Sequence, residues 1–224
     1  ILAFTLVFCS VFLVNSFTGL AAPKQMELTS NQKVEVELAK EKTKRALAHP
    51  KKQVDHSKAK EVAKVKGIPV EKLDVNVASV GTYGDILVTL TGKGSSSSAW
   101  AGGHAGIVRE NSAYTVESFG NKGDLNGVRQ WPNDWETRYP DVKGLRVYNA
   151  TLSDYQYVAS YAGSQIGKPY NYNFFNISTT SSFYCSQLVW RAWINRGYEL
   201  NDGGAVWPVD LYESPQTYLF YSKG

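Results

Sequence analysis

The aromatic residues of this chain are segregated. All 6 Trp and all 14 Tyr lie after Val75, and residues 23–74 contain no aromatic side chain. A core of large side chains therefore belongs to the second part alone, residues 76–224, about the size of one ordinary domain. Residues 23–75 are a different material, rich in Lys, Glu and Ala. Up to Asp74 they carry 13 basic against 8 acidic residues, while the rest of the chain carries 11 against 12. This basic arm reads as one or two helices, around residues 32–48 and 57–66, interrupted at His49-Pro50-Lys51-Lys52. Its simplest role is a solvated spacer, dispensable for chemistry. Its positive excess also suits loose contact with an anionic wall polymer or a membrane surface.

Ahead of the arm, residues 1–22 contain no charge, and an apolar run ends in the small residues Gly19 to Ala22. That is the pattern of a cleaved signal peptide, with an uncleaved membrane anchor as the alternative. The expected location is secreted or cell-wall associated. Cys9 follows bulky Phe8, where lipid attachment calls for a small residue. With the signal removed, Cys185 is the single thiol of an exported chain. An odd cysteine there points to a reactive thiol or an intermolecular bridge, against the plain alternative of an inert buried side chain.

Leu188, Val189 and Ala192 follow Cys185 at helical spacing. Ser181 or Ser182 is the expected cap of a helix starting near Phe183, and Gly197 suits its stop. Cys185 then lies in the first turn, where unpaired N–H groups stabilise a thiolate. A thiolate catalyst needs a base. His49 and His56 sit in the charged arm, whereas His104 opens the strand-like "HAGIV". A second strand, "TVESF", follows a polar turn. If Glu110 and Asn111 form a two-residue hairpin loop, His104 faces Glu117 directly across the pair, as an imidazole faces its orienting carboxylate. A one-residue slip would send Glu117 to the other face.

"GDIL", "GHAGIV", "VESF", "GKPYN", "YCSQLVWRAW" and "WPVDL" occur here in one order. In that order the chain resembles the permuted papain-like hydrolases of the NlpC superfamily, the YiiX- and YycO-like proteins, over residues 81–215. In this group His precedes Cys, as it does here. The resemblance implies an α+β fold, a circularly permuted papain-like (NlpC-type) arrangement in which a small antiparallel sheet packs against the Cys-bearing helix. It implies Cys185 as nucleophile, His104 as base and Glu117 as the third polar residue. Tyr170 and Asn171 fall where relatives hold substrate, and Tyr83 and Asp85, beside "GDIL", are candidates to line the cleft. Each of the four also has a structural role open to it, as core aromatic, turn former or loop hydrogen-bonder. The implied activity is that of an exported cysteine hydrolase, an amidase or endopeptidase acting on cell-wall peptide or a small amide. The alternatives are a lipid-directed thioesterase or acyltransferase, and a non-catalytic wall-binding module. No metal, cofactor or nucleic-acid partner is expected, since neither spaced ligand clusters nor a glycine-rich nucleotide fingerprint is present.

Overall fold

Every residue of Ile86-Leu87-Val88-Thr89 is buried. A strand with no wet face belongs at the centre of a sheet covered on both sides. The computed structural model, which describes residues 27–67 and 79–224, places it there. Strand β1 (Ile86–Thr89) lies between β2 (His104–Val108) and β5 (Val142–Val147). Beyond β2 come β3 (Tyr114–Phe119) and β4 (Gly127–Pro132), and beyond β5 comes β6 (Thr217–Lys223). The order is β4-β3-β2-β1-β5-β6, and each neighbouring pair is antiparallel. The fold is α+β.

Two clusters cover the sheet. On one face Ile86, Val88, Ala105 and Ile107 join the large core, against which α4 (Leu152–Ser164) and α5 (Cys185–Ile194) pack through β2. Most of the aromatic residues pack on this side. Trp100 lies 5.0 Å from Phe174 and 5.4 Å from Trp207, centroid to centroid, and Tyr155 meets Trp193 edge-on. On the other face Leu87 and Val108 pack with Val80, Val142 and Trp135, the first residue of the short α3 (Trp135–Arg138). Helix α6 (Pro208–Glu213) leans on β1 and β6.

The β2–β3 hairpin differs from the expected one. Arg109 N–H donates to Tyr114 O, so four residues, 110–113, form the loop. Glu117 pairs with Gly106 rather than with His104. The register has moved by two residues, which preserves the side-chain face. Diagonal neighbours are about 7–8 Å apart, a gap that His and Glu side chains span. The contact between His104 and Glu117 therefore survives a wrong loop length.

The arm is not a solvated spacer. Helices α1 (Ser30–Ala48) and α2 (His56–Val65) are docked on the domain. Lys42 Nζ bridges Asp202 and Asp210 at 2.6 and 2.7 Å, and Glu35 accepts the Ala205 N–H at 2.7 Å. Lys66, just past α2, is fully buried against Asp85. The docking uses Val36, Ala39, Ala46 and Ala63 together with charged groups. Such contacts carry little apolar signal, so composition made the segment look solvated. The expected signal, residues 1–22, lies outside the described residues. Among the described residues no helix is long and apolar enough to cross a membrane.

Candidate active site

Cys185 is the first residue of α5, with Tyr184 before it in extended conformation. Neither Ser181 nor Ser182 caps this helix. The Tyr184 N–H instead donates to Gln187 Oε1 at 3.2 Å, so the cap reaches back from inside the helix. Gln187 is held in turn. Its Oε1 also accepts from Asn171 Nδ2 at 3.0 Å, and its Nε2 donates to the carbonyls of Ile177 and Thr179. The helix ends at Ile194, and Gly197 follows at φ +85°, a left-handed stop that glycine adopts without strain. The Cys185 N–H lies in the first turn, where no intrahelical acceptor exists.

His104 opens β2 on the face that carries Trp135, while α5 covers the opposite face. Imidazole and thiol meet at the end of the sheet. A Cβ built on Gly94 would lie 2.8 Å from His104 Nδ1 and 3.1 Å from Cys185 Sγ. Gly94 is thus packed over both groups, and each is only 1% exposed. The ring is held flat between Phe119 and Trp135, at 5.1 and 5.7 Å between centroids and within 19° and 13° of parallel. Its Nε2 lies 2.7 Å from Glu117 Oε2. A carboxylate partner on Nε2 assigns the Nε2 proton to that bond and leaves Nδ1 to face the thiol. Nδ1 makes no full hydrogen bond among the described residues, and the group beside it is the Cys185 thiol.

Glu117 is fully buried, and its second oxygen is also occupied. Oε1 accepts from Thr115 Oγ1 at 2.6 Å, Trp135 Nε1 at 3.0 Å and Arg138 Nη2 at 2.6 Å. Burial works against its charge, but His104 and Arg138 together hold the carboxyl below its ordinary range. Burial likewise disfavours a charged His104. The Cys185 charge and then Glu117 outweigh it, and the imidazole is pushed up to about 9. The arrangement favours a protonated imidazole set between the sulfur of Cys185 and the Glu117 carboxylate.

The structure brings Cys185, His104 and Glu117 together, with Tyr170 beside them. Tyr170 is buried; burial first and the Cys185 charge second push its phenol well above the ordinary range. Its ring fills the space a Cβ on Gly120 would need. Asn171 is not free for substrate. It accepts the Asn173 N–H, and it donates to Gln187 and to the Asn176 carbonyl. Its place is behind the thiol-bearing turn.

Asp85 and Tyr83 are not at the thiol. His104 pairs with Thr89 at one end of β1, whereas Asp85 precedes the other end, about 13 Å away at strand rise. Asp85 is saturated by Lys66 and by the Arg146 fork at 3.0 and 3.0 Å. Tyr83 is partly buried, with Lys66 Nζ 5.1 Å from its ring centre. Both belong to a buried ion cluster that ties α2 to the sheet.

Thr115, Trp135 and Arg138 on Glu117, and Gly94 above the thiol, are not among the residues expected from the sequence. Thr115 was legible, being two residues from Glu117 on the same strand face. Nothing local marks the other three. Among the described residues no group of three His, Cys, Asp or Glu side chains could hold a metal ion.

The model of one protein family matches residues 84–217, more than half of the chain and a span that includes all three residues of the cluster. That family is described as permuted papain-like amidase enzymes, YaeF/YiiX, C92 family. No curated protein matches the chain.

Proposed function

Because this chain belongs to the permuted papain-like amidases of the YaeF/YiiX, C92 family, we propose that it hydrolyses amide bonds through Cys185. The observation that carries this reading is the Cys185–His104–Glu117 alignment, with Nδ1 turned to the thiol and Nε2 on the carboxylate. The Cys185 thiolate attacks the amide carbonyl carbon, and the Cys185 N–H at the helix start stabilises the oxyanion. The C–N bond breaks as His104 gives its Nδ1 proton to the departing amine. The resulting thioester is attacked by water, whose proton returns to His104, and the acid leaves with the thiolate restored. Tyr170 borders this site as a substrate contact.

The wider kinship to the NlpC superfamily and an exported, wall-associated life belong to the same proposal. They rest on the motif order and on residues 1–22. The substrate proposed is a short peptide or amide of the cell wall. Loose attachment to an anionic polymer would use the arm's exposed Lys33, Lys44, Arg45, Lys60 and Lys64. The test is incubation of the protein with purified peptidoglycan and, separately, with lipid thioesters, followed by mass spectrometry of the products. Released wall peptides support the proposal. Turnover of lipid thioesters alone assigns the site to lipid acyl chemistry. Full retention of wall binding with no product from either arm leaves the binding-module alternative.

A further inference from the structure

Two arginines are candidates to balance the buried charge of Glu117. Arg129 is its direct cross-strand partner between β3 and β4. The Arg129 guanidinium nevertheless turns to backbone, donating to the Asn126 carbonyl at 2.9 Å and the Val128 carbonyl at 3.4 Å. Arg138 comes from α3, and its Nη2 lies 2.6 Å from Glu117 Oε1. Its Nε lies 3.0 Å from Asp134 Oδ1, and its guanidinium packs 4.8 Å from the Tyr139 ring centre and 5.4 Å from that of Trp135.

We propose that Arg138 is a positioning residue for the thiol–imidazole pair, the fourth member of an alternating chain Cys185, His104, Glu117, Arg138. The geometry has two consequences. First, the carboxylate is turned. With Thr115, Trp135 and Arg138 on Oε1, Oε2 is left for His104, and rotation of the carboxyl group would break three hydrogen bonds at once. Second, the charges balance. Thiol and imidazole together carry no net charge whichever of them holds the proton, so the Glu117 carboxylate is left for the Arg138 guanidinium to offset, in a buried site where an unbalanced charge is costly. Of the remaining groups, Thr115 and Trp135 donate to Glu117, burial pushes the Tyr139 phenol above the usable range, and Asp134, which meets the guanidinium at Nε, is partly exposed to solvent. Arg138 touches neither thiol nor imidazole, so it acts through Glu117.

This inference rests on the proposed use of Cys185 and His104, but its test needs no substrate. The whole chain is prepared with Arg138→Met, Arg138→Gln, Arg138→Lys and the control Arg129→Met. Difference infrared spectra are recorded from pH 8 down to pH 5 for the carbonyl band of a protonated buried carboxylic acid. The rate of iodoacetamide labelling of Cys185 is measured alongside. Removing the guanidinium, by Met or by Gln, is expected to bring in a protonated-acid band within this range that the native protein lacks. Adding Glu117→Gln should abolish that band. Labelling should slow on the order of 10- to 100-fold, the scale found when the outer partners of metal-bound ligands are removed. Arg138→Lys should restore most of both readouts, and Arg129→Met should move neither. If Glu117 stays ionised and labelling is unchanged in both the Met and Gln variants, Arg138 is only a packing residue and the proposal fails. It fails equally if Arg129→Met produces the band instead.

Discussion

At the scale of single residues, the site is decided by how buried charges are compensated. His104 and Glu117 are both almost fully enclosed, and each is tolerable as an ion because the other lies 2.7 Å away. The histidine sits at about 9, above its ordinary value near 6.5, so the sign of its pH dependence is set. A raised value in the folded state gives a contribution to stability that is fully present below pH 6.5. That contribution is lost as the pH climbs through 9. The proton needed by the leaving amine is held over the same range. Turnover of an amide substrate should therefore fall on the alkaline side with a midpoint near pH 9, and urea stability should fall with it. A pH–rate profile of kcat/KM, with denaturation midpoints at the same pH values, checks this; an alkaline limb near pH 6.5 would contradict it. Cys185 and His104 were legible in the sequence because the chain has only 2 Cys and 3 His, and Glu117 was legible from its place on the strand that faces His104. Gly94 and Arg138 were not. A glycine in a serine-rich loop and an arginine on a one-turn helix acquire their roles only through contacts made across the fold.

At the scale of elements, the start of α5 is the critical piece. The chain enters it through Tyr184, whose hydroxyl donates to the Phe174 carbonyl and accepts the Val206 N–H. Gln187 then closes the first turn, and Asn171 and three carbonyls of the preceding loop hold Gln187. Gln187→Ala leaves the Tyr184 N–H and the Asn171 amide without their shared acceptor. The expected cost is about 1–3 kcal/mol of stability, the penalty for an unsatisfied buried polar group. Urea unfolding measures it. Iodoacetamide labelling of Cys185 should slow in the same variant, because the turn that presents the thiol has loosened. Stability within about 0.5 kcal/mol of the native value would show that the cap is redundant. The existence of this helix and its stop at Gly197 could be read from apolar spacing and a glycine. Its first residue could not, since the capping group lies inside the helix and is oriented by residues of the preceding loop. The same limit applies to the β2–β3 hairpin. Alternation identified both strands and the shared face, but loop length depends on the Arg109–Tyr114 pairing, which no local pattern announces.

At the scale of the whole molecule, the basic arm belongs to the folded unit. Lys66 carries its amine into a site with 0% exposure, where it donates to Asp85, Thr82 Oγ1 and the Tyr83 carbonyl. Its Nζ also sits 3.6 Å from the Tyr155 ring centre. Lys66→Ala leaves Asp85 with Arg146 as its one cation, beside the Thr82 N–H and hydroxyl. The expected loss is about 3 kcal/mol, the lower end for removing one partner of a buried pair, because the second cation remains. Thermal and urea unfolding of that variant decide whether the arm is structural; a change below about 0.5 kcal/mol would return it to the status of a spacer. Segregation of the aromatic residues located the core correctly and misjudged its boundary, because a lysine that is buried in an ion cluster has the same letter as one in water. If Cys185 is the nucleophile, an acyl enzyme forms on it and can be trapped. The protein is mixed with wall-derived peptide amides, quenched in acid, and the peptide containing Cys185 is weighed by mass spectrometry. A thioester is expected on Cys185 in the native protein, with both adduct and turnover lost in Cys185→Ala. Substantial amide turnover by folded Cys185→Ala, or turnover by the native protein through an adduct on another residue, would contradict it.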